Sequence, residues 1–270
     1  MEKGGSEIFI PSVRSKVVKR EKAVSFFYML LTLVLFILVW QMAALKYNSE
    51  LLLPTPLKTA VALYDAVRDP WILKNLLITL KRVLLGFLYA LAIGVPLGYL
   101  MGYSKTVLQI MDPLIGSLRQ VPIMAWVPLT IVWFGLGDGP TVFLIAFSGV
   151  FPIILNTIAG VQGIDRDYYH AARSMGAKPW HIFSDVIFPG SLPDIMTGMR
   201  IAVGAGWMSV ICAEFIATSA GFGYAMVEAQ TRMYTDKLIA LMIMAGIVGY
   251  LIDRLLLFLN IRLIKWRYVA

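Results

Sequence analysis

The chain holds one cysteine, Cys212, so no internal disulfide can form. Histidine is nearly as scarce: only His170 and His181 occur, and no Cys/His cluster has the spacing of a metal site. Nothing matches G-x-x-x-x-G-K-[ST], which excludes nucleotide binding through a phosphate loop in this chain. No constellation for bond-breaking chemistry remains, so no catalytic residue and no cofactor are expected. Charged residues make up only 15% of the sequence, against about 25% in ordinary globular proteins. Gly/Ser-rich linkers, long charge runs and an evident internal repeat are missing too, which argues for one domain behind a basic N-terminal tail.

What is abundant is apolar. A hydrophobic fraction of 59% and a mean hydropathy of +0.76 place the chain well above the globular norm of about 45 to 50% apolar, and the expected class is an all-α integral membrane protein. A spanning helix needs about 20 apolar residues. Six runs qualify, at residues 24–45, 82–103, 112–135, 140–162, 193–217 and 238–260, the third interrupted by Asp112, Arg119 and Gln120. The first run is too long for the apolar core of a secretory signal and no A-x-A site follows it, so it is read as a span. Residues 1–22 are read as a mobile basic tail, with Ile8, Phe9 and Ile10 able to rest on the membrane surface. In span five Cys212 is expected to be a small buried apolar group.

Lysine and arginine set the orientation. Lys3, Arg14, Lys16, Lys19, Arg20 and Lys22 crowd the start and Arg262, Lys265 and Arg267 the end, so both termini are expected in the cytoplasm, with Arg166, Arg173 and Lys178 in a cytoplasmic loop 163–192. The connection between spans one and two mixes Lys46, Lys58, Arg68 and Lys74 with Glu50, Asp65 and Asp69, which balance it in part. The net charge of +8 thus reports topology; the basic residues flank spans and do not gather with aromatics on one soluble face, which speaks against nucleic acid as a partner. Outside, Thr55 and Pro56 are an N-cap and first-turn pair for an amphipathic helix carrying Leu57, Ala60, Val61, Tyr64 and Val67, and Gly135 to Pro140 reads as a tight turn.

The most informative segment is residues 167–189. Asp165 is a fitting N-cap for a short helix ending at Met175, Gly176 suits the positive φ that closes it, and Pro179 opens a second helix. Trp180, Phe183 and Ile187 fall at i, i+3 and i+7, and Pro189 is expected to stop the run. Aromatics on an otherwise exposed helix imply a groove on a partner that covers them. The bland alternative is a helical loop between two spans with no partner.

His170-Ala171-Ala172, Gly176 and Val186-Ile187-Phe188-Pro189 also resemble, in spacing, the Glu-Ala-Ala, Gly and Ile-x-Leu-Pro pattern of membrane subunits of ATP-binding-cassette importers, with His170 standing where that family has Glu. The segments Leu118-Arg119-Gln120-Val121-Pro122, Pro128-Leu129 with Trp133-Phe134-Gly135, Asn156-Thr157 with Gly160, and Ala213-Glu214 are similar to permeases of the nitrate, sulfonate, taurine and bicarbonate group, over most of residues 54–260. The resemblance implies a type I importer permease in the bacterial cytoplasmic membrane. It would pair with a second copy, sit on two ATPase subunits that carry ATP and Mg, and receive a small oxyanion from an extracytoplasmic solute-binding protein. Related permeases carry vitamins or pyrimidine precursors. His170, Ala171, Ala172, Gly176, Ala177, Trp180, Phe183 and Pro189 would form the coupling contact with the ATPase.

Within the spans, Gly86, Ala90, Gly94, Gly98 and Gly102 recur every fourth residue, as do Gly198, Ala202 and Gly206, which is the pattern of closely packed membrane helices. Pro96 and Pro128 are candidate kinks. Intramembrane polar groups are costly and mark paths or interhelical bonds; those present are Arg119, Gln120, Asn156, Arg200, Glu214, Asp253 and Arg254. Arg119, Gln120, Asn156 and Glu214 are the candidates for a translocation path, with Arg119 offering charge to an anion. Two other classes stay open at this stage: an ion-gradient-driven transporter or channel using Glu214 and Asp253, and a non-transporting membrane anchor.

Overall fold

A computed structural model describes the backbone of residues 11–263 and the side chains of residues 24–262, and all regular structure among them is helical. In order the helices are α1 (Pro11–Tyr47), α2 (Pro56–Arg68), α3 (Pro70–Tyr103), α4 (Lys105–Gln120), α5 (Ile123–Phe134), α6 (Asp138–Gln162), α7 (Arg166–Ser174), α8 (Pro179–Ile182), α9 (Phe188–Ala217), α10 (Phe222–Thr231) and α11 (Thr235–Leu263). The basic side chains expected at both termini, apart from Arg262, lie outside the described residues. So do Ile8, Phe9 and Ile10. The expected tail is shorter than 1–22, because α1 already begins at Pro11.

Among the described residues five helices are long and apolar enough to span a membrane, and α4 with α5, bent by 96° at the break between them, brings the number to six when the pair is counted as one broken span. The continuous third span expected at 112–135 is therefore corrected. Pro122 has no N–H and disfavours the α region for the residue before it; Val121 accordingly turns extended, at φ −72° and ψ 120°. The second span is also longer than its apolar run. Asp69 caps α3 by accepting from the Trp71 N–H at 2.9 Å, with Pro70 in the first turn, so the helix starts well before residue 82. The amphipathic helix α2 forms as expected, with the Thr55 hydroxyl accepting from the Lys58 N–H at 3.4 Å.

The small-residue rows explain the core. Along α3, a Cβ added at Gly86, Gly94, Gly98 or Gly102 would lie 2.6, 2.8, 2.5 or 2.8 Å from a side-chain carbon of Ile145, Ile153, Thr157 or Val161 respectively. The constant register makes α3 and α6 parallel neighbours at backbone contact. On the adjoining face of α6, Gly198 meets Asn156 and Pro152 while Gly206 meets Ile145, so α9 runs antiparallel. Lipid provides no hydrophobic drive between helices, so this close approach supplies the van der Waals packing that holds the bundle. By contrast, α1 stands apart: its side chains from residue 24 to 39 are exposed, and its C-terminal end is tied by the Trp40 indole N–H donating to the Pro54 carbonyl at 3.0 Å.

Candidate functional site

Where α3 and α6 end and α9 begins, α7 and α8 form an elbow. Asp165 opens α7 by accepting from the Asp167 N–H at 3.0 Å. The helix closes in a Schellman motif: Gly176 N–H donates to the Arg173 carbonyl at 2.9 Å and Ala177 N–H to the Ala172 carbonyl at 3.0 Å. Gly176 supplies the required φ of +79°, and no heavy atom lies within 4 Å of where its Cβ would be. Backbone conformation, and not space, is what demands glycine there. Ala172 and Ala177 then pack with Val161, Ile182 and Ile187, the hydrophobic contact that accompanies this cap, so the spacing from Ala172 to Ala177 has a physical basis.

The elbow has an inner and an outer side. Phe183 is half-buried, edge-on to Tyr99 with ring centroids 5.3 Å apart, and Trp180 stacks on Phe183 from outside at 5.7 Å. Trp180 is 71% and Met175 87% exposed, whereas Ile187 is buried. Trp180, Phe183 and Ile187 thus do not share an outward face. The reason is a π-turn over Phe183–Ile187, in which the Phe188 N–H reaches the Phe183 carbonyl and the extra residue rotates the helix surface. The same turn overturns the expected stop at Pro189. Proline lacks an N–H and crowds the carbonyl four residues back, and the wider turn accommodates both, so the chain runs on into α9. His170 and Ala171 are exposed on α7.

At the opposite end lies a buried polar knot. Glu214 is 0% exposed and accepts from Arg82 Nη1 at 2.7 Å, from the Thr79 hydroxyl at 2.8 Å and from the Gly223 N–H at 2.8 Å. Arg82 also donates through Nε to Asp138 at 2.8 Å and through Nη1 to the Ala220 carbonyl at 2.7 Å. The Gly221 and Phe222 N–H groups donate to Asn75 Oδ1 and the Thr79 hydroxyl, both at 2.7 Å, so side chains of α3 and α9 cap α10. Gly221 and Gly223 are required because a Cβ at either would run into Glu214. Glu214 and Arg82 together therefore tie α3, α6, α9 and α10, and the carboxylate is closed to any path in this conformation.

The other expected path residues separate. Arg119 and Gln120 are exposed at the end of α4, beside the bend, and no side chain caps the following N-terminus of α5. The Asn156 amide donates to the Pro152 carbonyl at 2.8 Å and its Cβ fills the notch at Gly198, which makes it a packing residue. Arg200 and Asp253 form an interhelical ion pair at 2.5 and 2.8 Å. Sequence reasoning missed Arg82, Asn75, Thr79 and Asp138. A signal existed: Asn75, Thr79, Arg82 and Gly86 lie on one helical face, a polar row leading into the small-residue row.

The family model for binding-protein-dependent transport system inner membrane components matches residues 94–265. The aliphatic sulfonates transport permease of Bacillus subtilis is 35% identical over 233 residues, covering 86% of this chain and 84% of that protein. The taurine transport system permease of Escherichia coli is 34% identical over 232 residues, covering 84% of each. The inward-facing MetNI methionine ABC transporter shares the fold, with a TM-score of 0.62 at 19% identity over 73% of this chain and 96% of that one. The family model and these relatives, each matched over most of its length, show that the chain belongs to the family of binding-protein-dependent inner membrane components, the permeases of ABC importers.

Proposed function

We propose that this chain is half of the membrane part of an ATP-driven importer for a small anionic solute in the bacterial cytoplasmic membrane. Two copies sit on two ATPase subunits, which bind ATP and Mg, and an extracytoplasmic solute-binding protein delivers the substrate. The observation that carries this reading is the elbow: it presents Trp180 and Met175 outward, is packed beneath α3 on its inner side, and continues into α9 without a loop. A push on it moves a spanning helix and has no flexible joint in which to dissipate, which is how a remote subunit biases a two-state bundle. Trp180→Ala removes the exposed anchor and its stack on Phe183 but leaves the Phe183–Tyr99 contact on the inner side in place. Loss of such an anchor at an interface costs about 2 kcal/mol or more, so at least tenfold less ATPase should copurify with the variant; undiminished copurification would refute the coupling role.

Arg119 favours an anion, since it stands exposed at a broken span next to an uncapped helix N-terminus, both of which attract negative charge. The sulfonate and taurine relatives fit that chemistry. An ion-gradient mechanism would need free carboxylates within the bundle, and Glu214 and Asp253 are each engaged by an arginine. In the proposed orientation both termini and the elbow are cytoplasmic. Single cysteines at Lys178 and Asp138, in a Cys212→Ala background, test it with an impermeant thiol reagent on intact cells: position 138 should label and position 178 should not.

A further inference from the structure

A cleft of about 760 Å³ lies between α7 and the ends of α4 and α6. Lys105, Arg166, His170 and Arg173 line it, and among the described residues no carboxylate does. This cationic side of α7 looks back toward the bundle, so it is not the side that carries Met175. A second cavity of about 830 Å³ adjoins it, lined by Val95, Leu100, Ile182 and Phe188, again without a carboxylate among the described residues. Tyr103, Tyr169 and Arg173 belong to both and form the wall between them. The apolar half runs along the last turns of α3, a spanning helix, so it opens into the lipid where that helix leaves the membrane. Burial, and then the neighbouring Tyr103, push the Tyr169 phenol above its ordinary value.

Adjacent cationic and apolar cavities at a membrane boundary match one amphiphile. We propose that they hold a single anionic phospholipid, its phosphodiester among Lys105, Arg166 and Arg173 and an acyl chain along Val95 and Leu100. A zwitterionic lipid presents a compensating cation to the same arginines and is discriminated against; a free anion leaves the apolar half empty. Bound there, the lipid wedges between α3 and the elbow and holds the elbow at its present angle.

The test uses the full chain in detergent micelles, so it reads lipid binding without reference to any ATPase. Native mass spectrometry after adding phosphatidylglycerol or phosphatidylcholine should find one phosphatidylglycerol retained per chain and phosphatidylcholine about tenfold weaker. Arg166→Gln/Arg173→Gln should weaken phosphatidylglycerol retention about tenfold, Arg173→Lys should keep it, and millimolar inorganic phosphate should not displace it. Val95→Trp, which fills the apolar half away from the charges, should lower retention as well, and size-exclusion elution checks that each variant is folded. Equal retention of both lipids, displacement by phosphate, or unchanged retention in the folded double variant and in Val95→Trp would each overturn the site.

Discussion

Arg82→Met should be among the most destabilising single changes in the chain, lowering the stability of the detergent-solubilised protein by about 3 to 5 kcal/mol, because it strands the Glu214 carboxylate in the bundle without its counter-ion. Glu214→Gln should cost less. Its amide oxygen still accepts from Thr79 or Gly223, and Arg82 keeps Asp138 and the Ala220 carbonyl. The double variant Arg82→Met/Glu214→Gln removes both charges and should be more stable than Arg82→Met alone. That inversion separates a buried ion pair from ordinary packing, since independent losses would add. Thermal unfolding of the four proteins in one detergent measures it. A double variant less stable than Arg82→Met would sink the reading of Glu214 as a charge held by Arg82.

The knot also shows where sequence reasoning stops. Glu214 was identifiable as an intramembrane carboxylate, but burial alone does not distinguish a path residue from a tie between helices. The distinction rests on partners far away in sequence. Arg82 was obscured because an apolar-run criterion places it at the edge of a span, although Pro70 and the Asp69 cap extend the helix outward by three turns. Asn75 and Thr79 lie on that extension, and they hold the first N–H groups of α10, a helix that no periodicity in its own short sequence demands. The third span misled for a similar reason. Its composition reads as one membrane-length run, while the backbone obeys Pro122, whose effect on Val121 is local and steric.

The elbow was far more legible, because its shape is set by short-range chemistry. Asp165, Gly176 and Pro179 each act within a turn of their own position, and the helix start, the positive φ and the second start all appear as read. The error at Pro189 has the same physical source seen from the other side. A proline ends an α-helix unless the ladder can widen, and the π-turn over Phe183–Ile187 is a tertiary accommodation, with Ile187 drawn into the core beside Val161.

Gly176→Val should abolish uptake while leaving membrane insertion intact. At φ +79° a β-branched residue is strained by roughly 1 to 3 kcal/mol, and nothing around the position holds it there, since an added Cβ meets no atom within 4 Å. The chain therefore relaxes by turning φ negative, which breaks the bonds from Gly176 to Arg173 and from Ala177 to Ala172 and swings Trp180 away from its place. Gly176→Asn is the control. Asparagine tolerates the left-handed region, so this variant should keep most of the uptake although it adds a larger polar side chain. Uptake of labelled substrate into cells, with the amount of permease in the membrane measured on the same samples, separates the two. Wild-type uptake in Gly176→Val would mean that the angle between α7 and α8 is not what carries force into α9. Equal loss in both variants would point to the side-chain surface at 176 instead of its backbone, and would place the contact with the ATPase on Gly176 itself.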